Sequence, residues 1–329
     1  MSLFKYIKKV ALVSFSYLPS ELKIFIYRCM GAKIGTNVEI GLGSYILPYD
    51  NDCKKIRIEN DVIIEDGVHI LSRNLYLGNG TQIKNNTKIS GQSDFTSGKN
   101  VYIDQDCHFD VRRNISLGNE VVISGGCWFY THMVFQSVLE GAPFKFGPVI
   151  VEERTYFGAN GFVLPDITIG HDSIIGARSV VTKNVNTGTV MVGQPAKDIG
   201  KTSQRTRQLT PAEKNSIVKD ILLDFIQVHR EKITSVKPWD TVDMFFIFLN
   251  QTILFLPRAD QFSVVDEKIK KFNNYGILIS FEIPEIIKTD CEKNGIFWFD
   301  LASRTKSSKK NKNSLTLERF FKNYGISIS

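Results

Sequence analysis

Cysteine is scarce in this chain of 329 residues, which contains only five. They are scattered and odd in number, and no two of them form a CxxC pair: Cys29, Cys53, Cys107, Cys127 and Cys291. This usage argues against both a disulfide framework and a cysteine-rich zinc site. We therefore predict a protein of the reducing cytoplasm.

Long hydrophobic runs are also lacking. The most apolar internal stretch, VDMFFIFLNQTILFL (242–256), contains Asp243, Asn250 and Gln251 and falls short of the roughly 20 residues needed to span a membrane. Residues 1–18 are basic and then apolar, as in a signal peptide, but they have no small-residue cleavage site. We predict no transmembrane segment and a helix at the N-terminus.

This N-terminal helix, predicted within residues 1–30, has two interpretations. Its lysines stand beside apolar residues: Lys5, Lys8 and Lys9 next to Phe4, Ile7, Leu12 and Phe15. Such a helix packs its apolar side against the rest of the protein, or it rests on the inner face of an anionic membrane as a peripheral contact. Packing is the simpler interpretation.

Acidic residues are outnumbered, since 41 lysines and arginines stand against 34 aspartates and glutamates. The resulting charge of +7 favours anionic partners such as nucleotides, phosphates or anionic lipids without selecting one. A basic cluster, KSSKKNKN (306–313), lies near the C-terminus. We interpret it as a solvated loop, with an acidic glycan or lipid as its alternative partner.

What the chain does contain is a six-residue repeat, in which a branched aliphatic residue or Phe recurs at every sixth position. The runs are Ile34 and Ile40; Ile58, Ile64 and Ile70; Leu77, Ile83, Ile89, Phe95 and Val101; Ile103, Phe109 and Ile115; Leu117, Ile123 and Phe129; and Val151, Phe157, Val163, Ile169, Ile175 and Val181. Small or turn-forming residues often follow the apolar one, as in IGTNVE and LGNGTQ.

Neither a helix nor a simple strand has this period. A short strand followed by a tight turn does, with one aliphatic side chain pointing inward per unit. Three such units close one triangular coil, and stacked coils pair their backbones about 4.8 Å apart. We therefore predict a mainly β fold, a parallel β-helix over residues 31–200.

The segment 149–200 resembles the closing part of the hexapeptide-repeat acetyltransferases, which include maltose, galactoside, serine and surface-polysaccharide acetyltransferases. The elements FGAN, LPDITIG, IGARSVVTK and VGQPAK occur in that family's order. The resemblance extends over about residues 28–200 and implies a left-handed β-helix. Two departures are Tyr156, where many relatives have Trp, and NVNTGT, where they often have a Pro pair.

The repeat is interrupted after THMVFQ (131–136). In the resembled family a histidine at this place is the general base, which predicts that His132 takes a proton from a sugar hydroxyl as its oxygen attacks the thioester of acetyl-CoA. The following segment, 133–147, would wall the acceptor pocket. His108 and Asp110, one coil earlier, would contact the acceptor or orient the imidazole, although a solvated corner is the simpler interpretation of both. His69, His108 and His171 are expected at surface corners.

The resemblance also places the acetyl-CoA cosubstrate in a groove between two β-helices. The residues implied are Tyr156, Gly158, Ala159, Ala177, Thr182, Lys183 and Lys197. Small residues would let the thioester approach the backbone, and the lysines would contact the anionic end of the cofactor. Taken without the resemblance, these residues are ordinary turn and surface residues. The family is commonly trimeric, so we expect a homotrimer with sites between subunits.

Beyond Lys201 the six-residue rhythm ends, and residues 201–329 are predicted to form a small α/β or α+β accessory domain. Thr210 and Pro211 begin a helix that runs to about Ile233. Strands are expected in MFFIFLN, TILFLP, GILISFEIP and IFWFDLA, and helices in VVDEKIKKFNNYG and LTLERFFKNYG. No catalytic motif is recognisable in this part.

These features predict an acetyl-CoA-dependent O-acetyltransferase acting on a surface polysaccharide or its precursor, without a metal and without a nucleic-acid partner. The alternative is N-acetylation of a nucleotide-linked amino sugar, and a serine-type acceptor fits less well. A γ-type carbonic anhydrase on this fold would need clustered histidines for zinc, and none of the five histidines are five residues apart. A non-enzymatic scaffold would bind no acetyl-CoA.

Overall fold

The computed structural model describes residues 14–134, 136–204, 207–236, 244–249, 251–256, 276–308 and 312–322, together with Tyr324 and Ile326. The lysines of the predicted N-terminal helix lie outside these ranges, as do most of the predicted helix 264–276 and part of the basic cluster. The chain divides into two compact units, the first ending at Arg207 and the second beginning at Gln208.

The first unit is a three-faced parallel β-helix, which confirms the predicted mainly β class. Each coil contributes one short strand to each of three sheets, here called faces A, B and C. Face A contains β1 (Lys33–Ile34), β4 (Ile56–Ile58), β7 (Leu75–Leu77), β10 (Phe95–Ser97), β13 (Ile115–Leu117), β18 (Val149–Val151) and β21 (Ile167–Ile169). Face B contains β2 (Glu39–Ile40), β5 (Ile63–Ile64), β8 (Gln82–Ile83), β11 (Tyr102–Ile103), β14 (Val122–Ile123), β19 (Tyr156–Phe157), β22 (Ile174–Ile175), β24 (Thr189–Gly193) and β25 (Ala196–Lys201). Face C contains β3 (Tyr45–Pro48), β6 (His69–Ser72), β9 (Lys88–Gly91), β12 (His108–Val111), β15 (Trp128–Tyr130), β20 (Phe162–Val163) and β23 (Val180–Val181).

The inward side chains of the repeat stack into continuous ladders. On face B, Ile64, Ile83, Ile103 and Ile123 lie in register on successive strands, and all are buried. On face C, Phe109 and Phe129 stack with their ring centroids 4.8 Å apart. Burial of these side chains is the main favourable term holding the coils together.

The period is not six throughout, because the strands of faces C and A are longer than those of face B, so that the step from Ile89 on face C to Ser97 on face A is eight residues. Ile83 pairs with Ile103, twenty positions later, whereas three six-residue units would make eighteen. The predicted series through Phe95 and Val101 is therefore wrong in register, although both residues are buried. The partner of Leu77 in the ladder is Ser97, whose hydroxyl lies 3.3 Å from that of Thr81.

Asparagine and aspartate occupy many of the tight corners in the left-handed backbone region. Five examples have φ between 55° and 60°: Asn86, Asn100, Asp106, Asn160 and Asp172. These two residue types tolerate positive φ better than other side-chain-bearing residues. The polar residues of the repeat thus set its turns.

Helix α1 (Ser20–Cys29) covers the first coil. Its Lys23 is fully buried and donates to the carbonyls of Ile40, Gly41 and Ser44. The hydroxyl of Ser20 accepts from the backbone N–H of Ile40 at 2.9 Å. The helix therefore satisfies backbone groups at an edge that would otherwise lack a neighbouring coil.

Two hairpins depart from the coils. The first is formed by β16 (His132–Val134) and β17 (Phe144–Phe146), which pair antiparallel. It leaves the β-helix just after β15. The second is formed by β24 and β25, which pair antiparallel at the last coil. The first hairpin accounts for the interruption of the repeat at residue 132.

The second unit contains a mixed sheet in the order β26-β27-β28-β29-β30-β31. Its strands are β26 (Ile233–Val236), β27 (Met244–Phe248), β28 (Gln251–Leu256), β29 (Ile277–Ser280), β30 (Phe297–Asp300) and β31 (Thr305–Lys306). Its helices are α2 (Pro211–Val228), α3 (Glu285–Lys293) and α4 (Lys312–Lys322). The four predicted strands are present, but α3 was not predicted. Within the described ranges, no helix is both long and apolar enough to cross a membrane.

Candidate functional site

The strongest candidate site is a hydrogen-bonded pair at the base of the first hairpin. The Nδ1 atom of His132 lies 2.8 Å from Oδ1 of Asp110, which is on the outer side of β12 one coil below. Both side chains are mostly buried, with 22% and 15% of their surfaces exposed. An ionised carboxylate only accepts hydrogen bonds, so this contact favours the tautomer in which Nδ1 donates and Nε2 is left as an acceptor.

Thr131 fixes the backbone next to this pair. Its buried hydroxyl donates to the Asp110 carbonyl at 2.8 Å and accepts the backbone N–H of Arg113 at 2.9 Å. The coil bearing Asp110 and the coil bearing His132 are therefore joined by side-chain as well as ladder hydrogen bonds. Such support holds a catalytic geometry more firmly than a single contact does.

The first hairpin places an aromatic residue beside His132. Phe146 is the cross-strand partner of His132, and the two rings stack with centroids 6.1 Å apart. The Arg113 guanidinium lies 5.0 Å from the centroid of the same Phe146 ring. The hairpin is exposed at its tip, where Leu139 is 94% exposed. This segment, predicted to wall an acceptor pocket, thus contacts the imidazole directly through Phe146.

Of the three other histidines predicted in corners, His69 and His108 lie elsewhere, whereas His171 is in a turn as predicted. His69 and His108 lie on strands β6 and β12 of face C rather than in corners, and His171 lies in a turn with its Nδ1 2.7 Å from Oδ2 of Asp172. His108 packs against Trp128, with ring centroids 5.2 Å apart. In the described part of the chain, no three His, Cys, Asp or Glu side chains are grouped to hold a metal ion.

Some of the residues predicted for the cofactor lie together at the corner between faces B and C. Gly158 follows β19, and its N–H donates to the carbonyl of Ile175 at 2.8 Å. A Cβ atom at Gly158 would lie only 2.5 Å from the backbone nitrogen of Ala177, so the neighbouring coil requires glycine there. The Ala159 carbonyl accepts the N–H of Arg178 on the same coil as Ala177.

The remaining predicted cofactor residues lie elsewhere on the same end of the β-helix. Thr182 and Lys183 follow β23 at the corner between faces C and A, and Lys197 is an exposed residue of the closing strand β25. Tyr156 is 45% exposed on the outer side of face B, where its hydroxyl lies 3.2 Å from that of Ser124. The predicted set is thus divided between two corners and a face.

The sequence predicted the segment 133–147 as a pocket wall without singling out Phe146, and it did not predict Arg113 as part of this site. Phe146 is separated from His132 by a loop of irregular sequence, and only the pairing of β16 with β17 brings the two rings together. Arg113 lies between β12 and β13, in the part of the coil that is longer than the six-residue repeat allows. Asp110 is brought to this site by the strand register of face C. In that register Asp110 pairs with Tyr130, which precedes His132 by two residues.

Comparison with known proteins supports the resemblance to acetyltransferases. No protein-family model matches the chain. A protein of Staphylococcus aureus with the provisional name of an acetyltransferase is 41% identical over 107 residues, which are 32% of this chain and 53% of that protein. The dTDP-4-amino-4,6-dideoxy-D-glucose acyltransferase of Escherichia coli is 27% identical over 200 residues, 61% of this chain and 87% of that enzyme. The chain spans about half the length of the Staphylococcus relatives.

Solved structures give weaker similarities of the same kind. The polySia-specific acetyltransferase NeuO aligns with a TM-score of 0.36 at 20% identity, covering 52% of this chain and 82% of that one. A maltose O-acetyltransferase of Clostridium difficile aligns with a TM-score of 0.34 at 21% identity, covering 60% and 84%. These scores are too low to support an argument on their own. The predicted resemblance to hexapeptide-repeat sugar acetyltransferases is confirmed, chiefly by the sequence relatives.

Proposed function

We propose that this protein transfers an acetyl group from acetyl-CoA to a hydroxyl of a sugar, in a surface polysaccharide or its precursor. The observation that supports this most directly is the His132–Asp110 pair, in a chain whose relatives include acetyltransferases and a dTDP-aminosugar acyltransferase. A mostly buried carboxylate that orients one imidazole nitrogen and leaves the other as an acceptor is an arrangement suited to general-base catalysis. We place the reaction on the cytoplasmic side, where acetyl-CoA would be available.

In this mechanism the Nε2 atom of His132 accepts the proton of the sugar hydroxyl. The oxygen forms a bond to the thioester carbonyl carbon, and the carbon–sulfur bond then breaks. The proton on Nε2 passes to the departing sulfur, so that coenzyme A leaves as a thiol and the imidazole returns to its neutral form. Asp110 stabilises the transient imidazolium, and Phe146 packs beside the imidazole on the hairpin side.

We further propose a homotrimer with sites between subunits. In a single chain, His132 lies after face C, whereas Gly158, Ala159 and Ala177 lie at the corner between faces B and C. A site that uses both sets is completed most simply by a second copy of the chain. Lys183 and Lys197 would then contact the anionic groups of the cofactor.

The function is tested by incubating the protein with acetyl-CoA and a panel of oligosaccharides and nucleotide sugars. Free thiol release is followed together with product mass. We expect thiol release that depends on the acceptor, with a product heavier by one acetyl group. Thiol release without an acetylated product would indicate hydrolysis and would contradict the proposal.

N-acetylation of a nucleotide-linked amino sugar is the second candidate, favoured by the similarity to the dTDP-aminosugar acyltransferase. The same products discriminate between the two. An acetyl ester is removed by mild alkali, whereas an acetamide survives it. An alkali-stable product from an amino sugar, with no transfer to hydroxyl acceptors, would select this candidate.

A further inference from the structure

One column of side chains on the outer side of face C is not used by the mechanism above. Strand register places its members directly above one another on six successive coils: Tyr45, His69, Lys88, His108, Trp128 and Phe162. We call this set the outer column. With strands about 4.8 Å apart, its five steps extend over about 24 Å.

The outer column is built largely from flat rings that are partly open to solvent. Tyr45 and His69 stack with centroids 4.5 Å apart, and His108 lies 5.2 Å from Trp128, which is 43% exposed. Burial lowers the pKa of both His69 and His108, with Lys88 adding to the effect, so their rings are uncharged at neutral pH. The charge-bearing groups around them are Lys88, and Asp110 beside His108.

The outer column passes close to the catalytic pair His132 and Asp110. Tyr130, on the same strand as Trp128, lies 6.0 Å from the Trp128 ring and 6.1 Å from the ring of His132. From His132 the column extends away across the coils that bear His108, Lys88, His69 and Tyr45. A molecule whose reacting group is at His132 can therefore continue along the column.

We propose that the outer column binds an extended oligosaccharide, so that the acceptor is a chain of several sugar units rather than a monosaccharide or a free nucleotide sugar. This rests on the proposed function. Sugar rings present apolar C–H faces that pack on aromatic and imidazole rings, and hydroxyl edges that need hydrogen-bonding groups. Lys88 is exposed and forms no ion pair with any residue that the structure describes, so its three N–H donors are available to a sugar carboxylate or hydroxyl.

The test measures binding separately from chemistry. His132→Ala protein is titrated with uronic-acid and neutral oligosaccharides of one to eight units. We expect affinity in at least one series to rise at least tenfold between two and six units. His69→Ala should lower affinity for the six-unit ligand about tenfold and leave the two-unit ligand unchanged, because His69 lies three coils from the strand that precedes His132. Lys88→Gln should weaken the acidic series more than the neutral one.

Matched controls are Tyr76→Ala and Lys99→Gln, which remove a partly exposed aromatic on face A and an exposed lysine at a corner. Neither should change oligosaccharide affinity. Affinity independent of length in both series, or unchanged by His69→Ala and Trp128→Ala, overturns the proposal. So does a Trp128→Ala variant whose only defect is loss of subunit association, because the column would then be a protein interface.

These results are independent of those for the proposed function. Length-dependent binding without acetyl transfer to any acceptor would support the outer column as a glycan site and contradict the acetyltransferase assignment. Acetyl transfer with equal KM for acceptors of two and six units would support the assignment and overturn the role of the column.

Discussion

At the scale of residues, the site depends on which side chains the coil register brings together. The resemblance alone predicts His132, because a histidine before an excursion is a local feature of the sequence. Its contact with Asp110 at 2.8 Å depends on the number of residues in the coil, which is twenty rather than eighteen between Asp110 and its strand partner Tyr130. The segment that contains Phe146 was predicted to wall the acceptor pocket, but the contact of this ring with His132 was not, and Arg113 was not predicted at all, because neither residue follows the repeat.

Replacing His132 with alanine should leave folding and acetyl-CoA binding intact while reducing turnover about 10² to 10⁴-fold, the range for loss of a general base. The side chain is at the edge of the core and is 22% exposed, so its removal creates little cavity. Thiol release at saturating substrates gives turnover, and calorimetry gives acetyl-CoA affinity. His171→Ala is the matched control, and near-normal turnover of His132→Ala would remove this residue from the role.

Replacing Asp110 with asparagine should lower kcat about 10² to 10⁴-fold with little change in the KM for acetyl-CoA. An amide can donate to Nδ1 and so stabilise the tautomer in which Nε2 carries the proton and cannot act as a base. Steady-state kinetics separate the two constants. Partial rescue by Asp110→Glu is expected, whereas equal effects of the two variants would indicate a purely structural role.

The two exposed lysines allow a test of the cofactor assignment. Lys183→Ala and Lys197→Ala should each weaken acetyl-CoA more than its 3′-dephospho analogue, because an ammonium group pairs most strongly with charged phosphate oxygens. Binding of both ligands is measured by calorimetry, with the exposed Lys99→Ala as control. An equal decrease in affinity for the two ligands would rule out an interaction with that phosphate.

Among the elements, helix α1 shows how the exposed edge of the first coil of the β-helix is covered. The repeat predicts stacked coils but not the fate of the first coil, whose edge groups have no neighbouring strand. Ser20 and Lys23 supply the missing donors and acceptors. Burial lowers the pKa of Lys23, and nearby Asp66 opposes this effect. A buried lysine in a short helix is not a feature that amphipathic pattern alone predicts.

Replacing Lys23 with methionine tests this role. The substitution keeps an unbranched chain of similar length but removes the side-chain donor to the Ser44 carbonyl and one of the two donors to the Gly41 carbonyl, which should destabilise the first coil by about 1 to 3 kcal/mol. Hydrogen exchange measured by mass spectrometry should show faster exchange in peptides covering residues 36–48. The exposed Lys33→Met is the control. Unchanged exchange would mean that packing of α1, rather than the lysine, covers the edge.

In the molecule as a whole, each of the two units has its own hydrophobic core, and the two cores differ in composition. The β-helix core is an aliphatic ladder with a few stacked phenylalanines, whereas the second unit packs a cluster of aromatic and aliphatic residues around a mixed sheet. Both patterns were visible in the sequence. Helix α3 was not predicted, since it is nine residues long and buries only Cys291, too little for a clear helical period.

A fragment of residues 1–207 tests whether the second unit is needed for assembly. Each coil packs on its neighbours through its own ladder, so the fragment should fold alone, and by the proposed intersubunit site it should form a trimer that binds acetyl-CoA. Analytical ultracentrifugation and calorimetry on the fragment and the full chain provide the comparison, and acceptor use is then measured on both. A monomeric fragment that binds acetyl-CoA at full strength would contradict the intersubunit site. An insoluble fragment would show that the second unit is required to complete the fold of the first, because the ladder residues themselves are all retained.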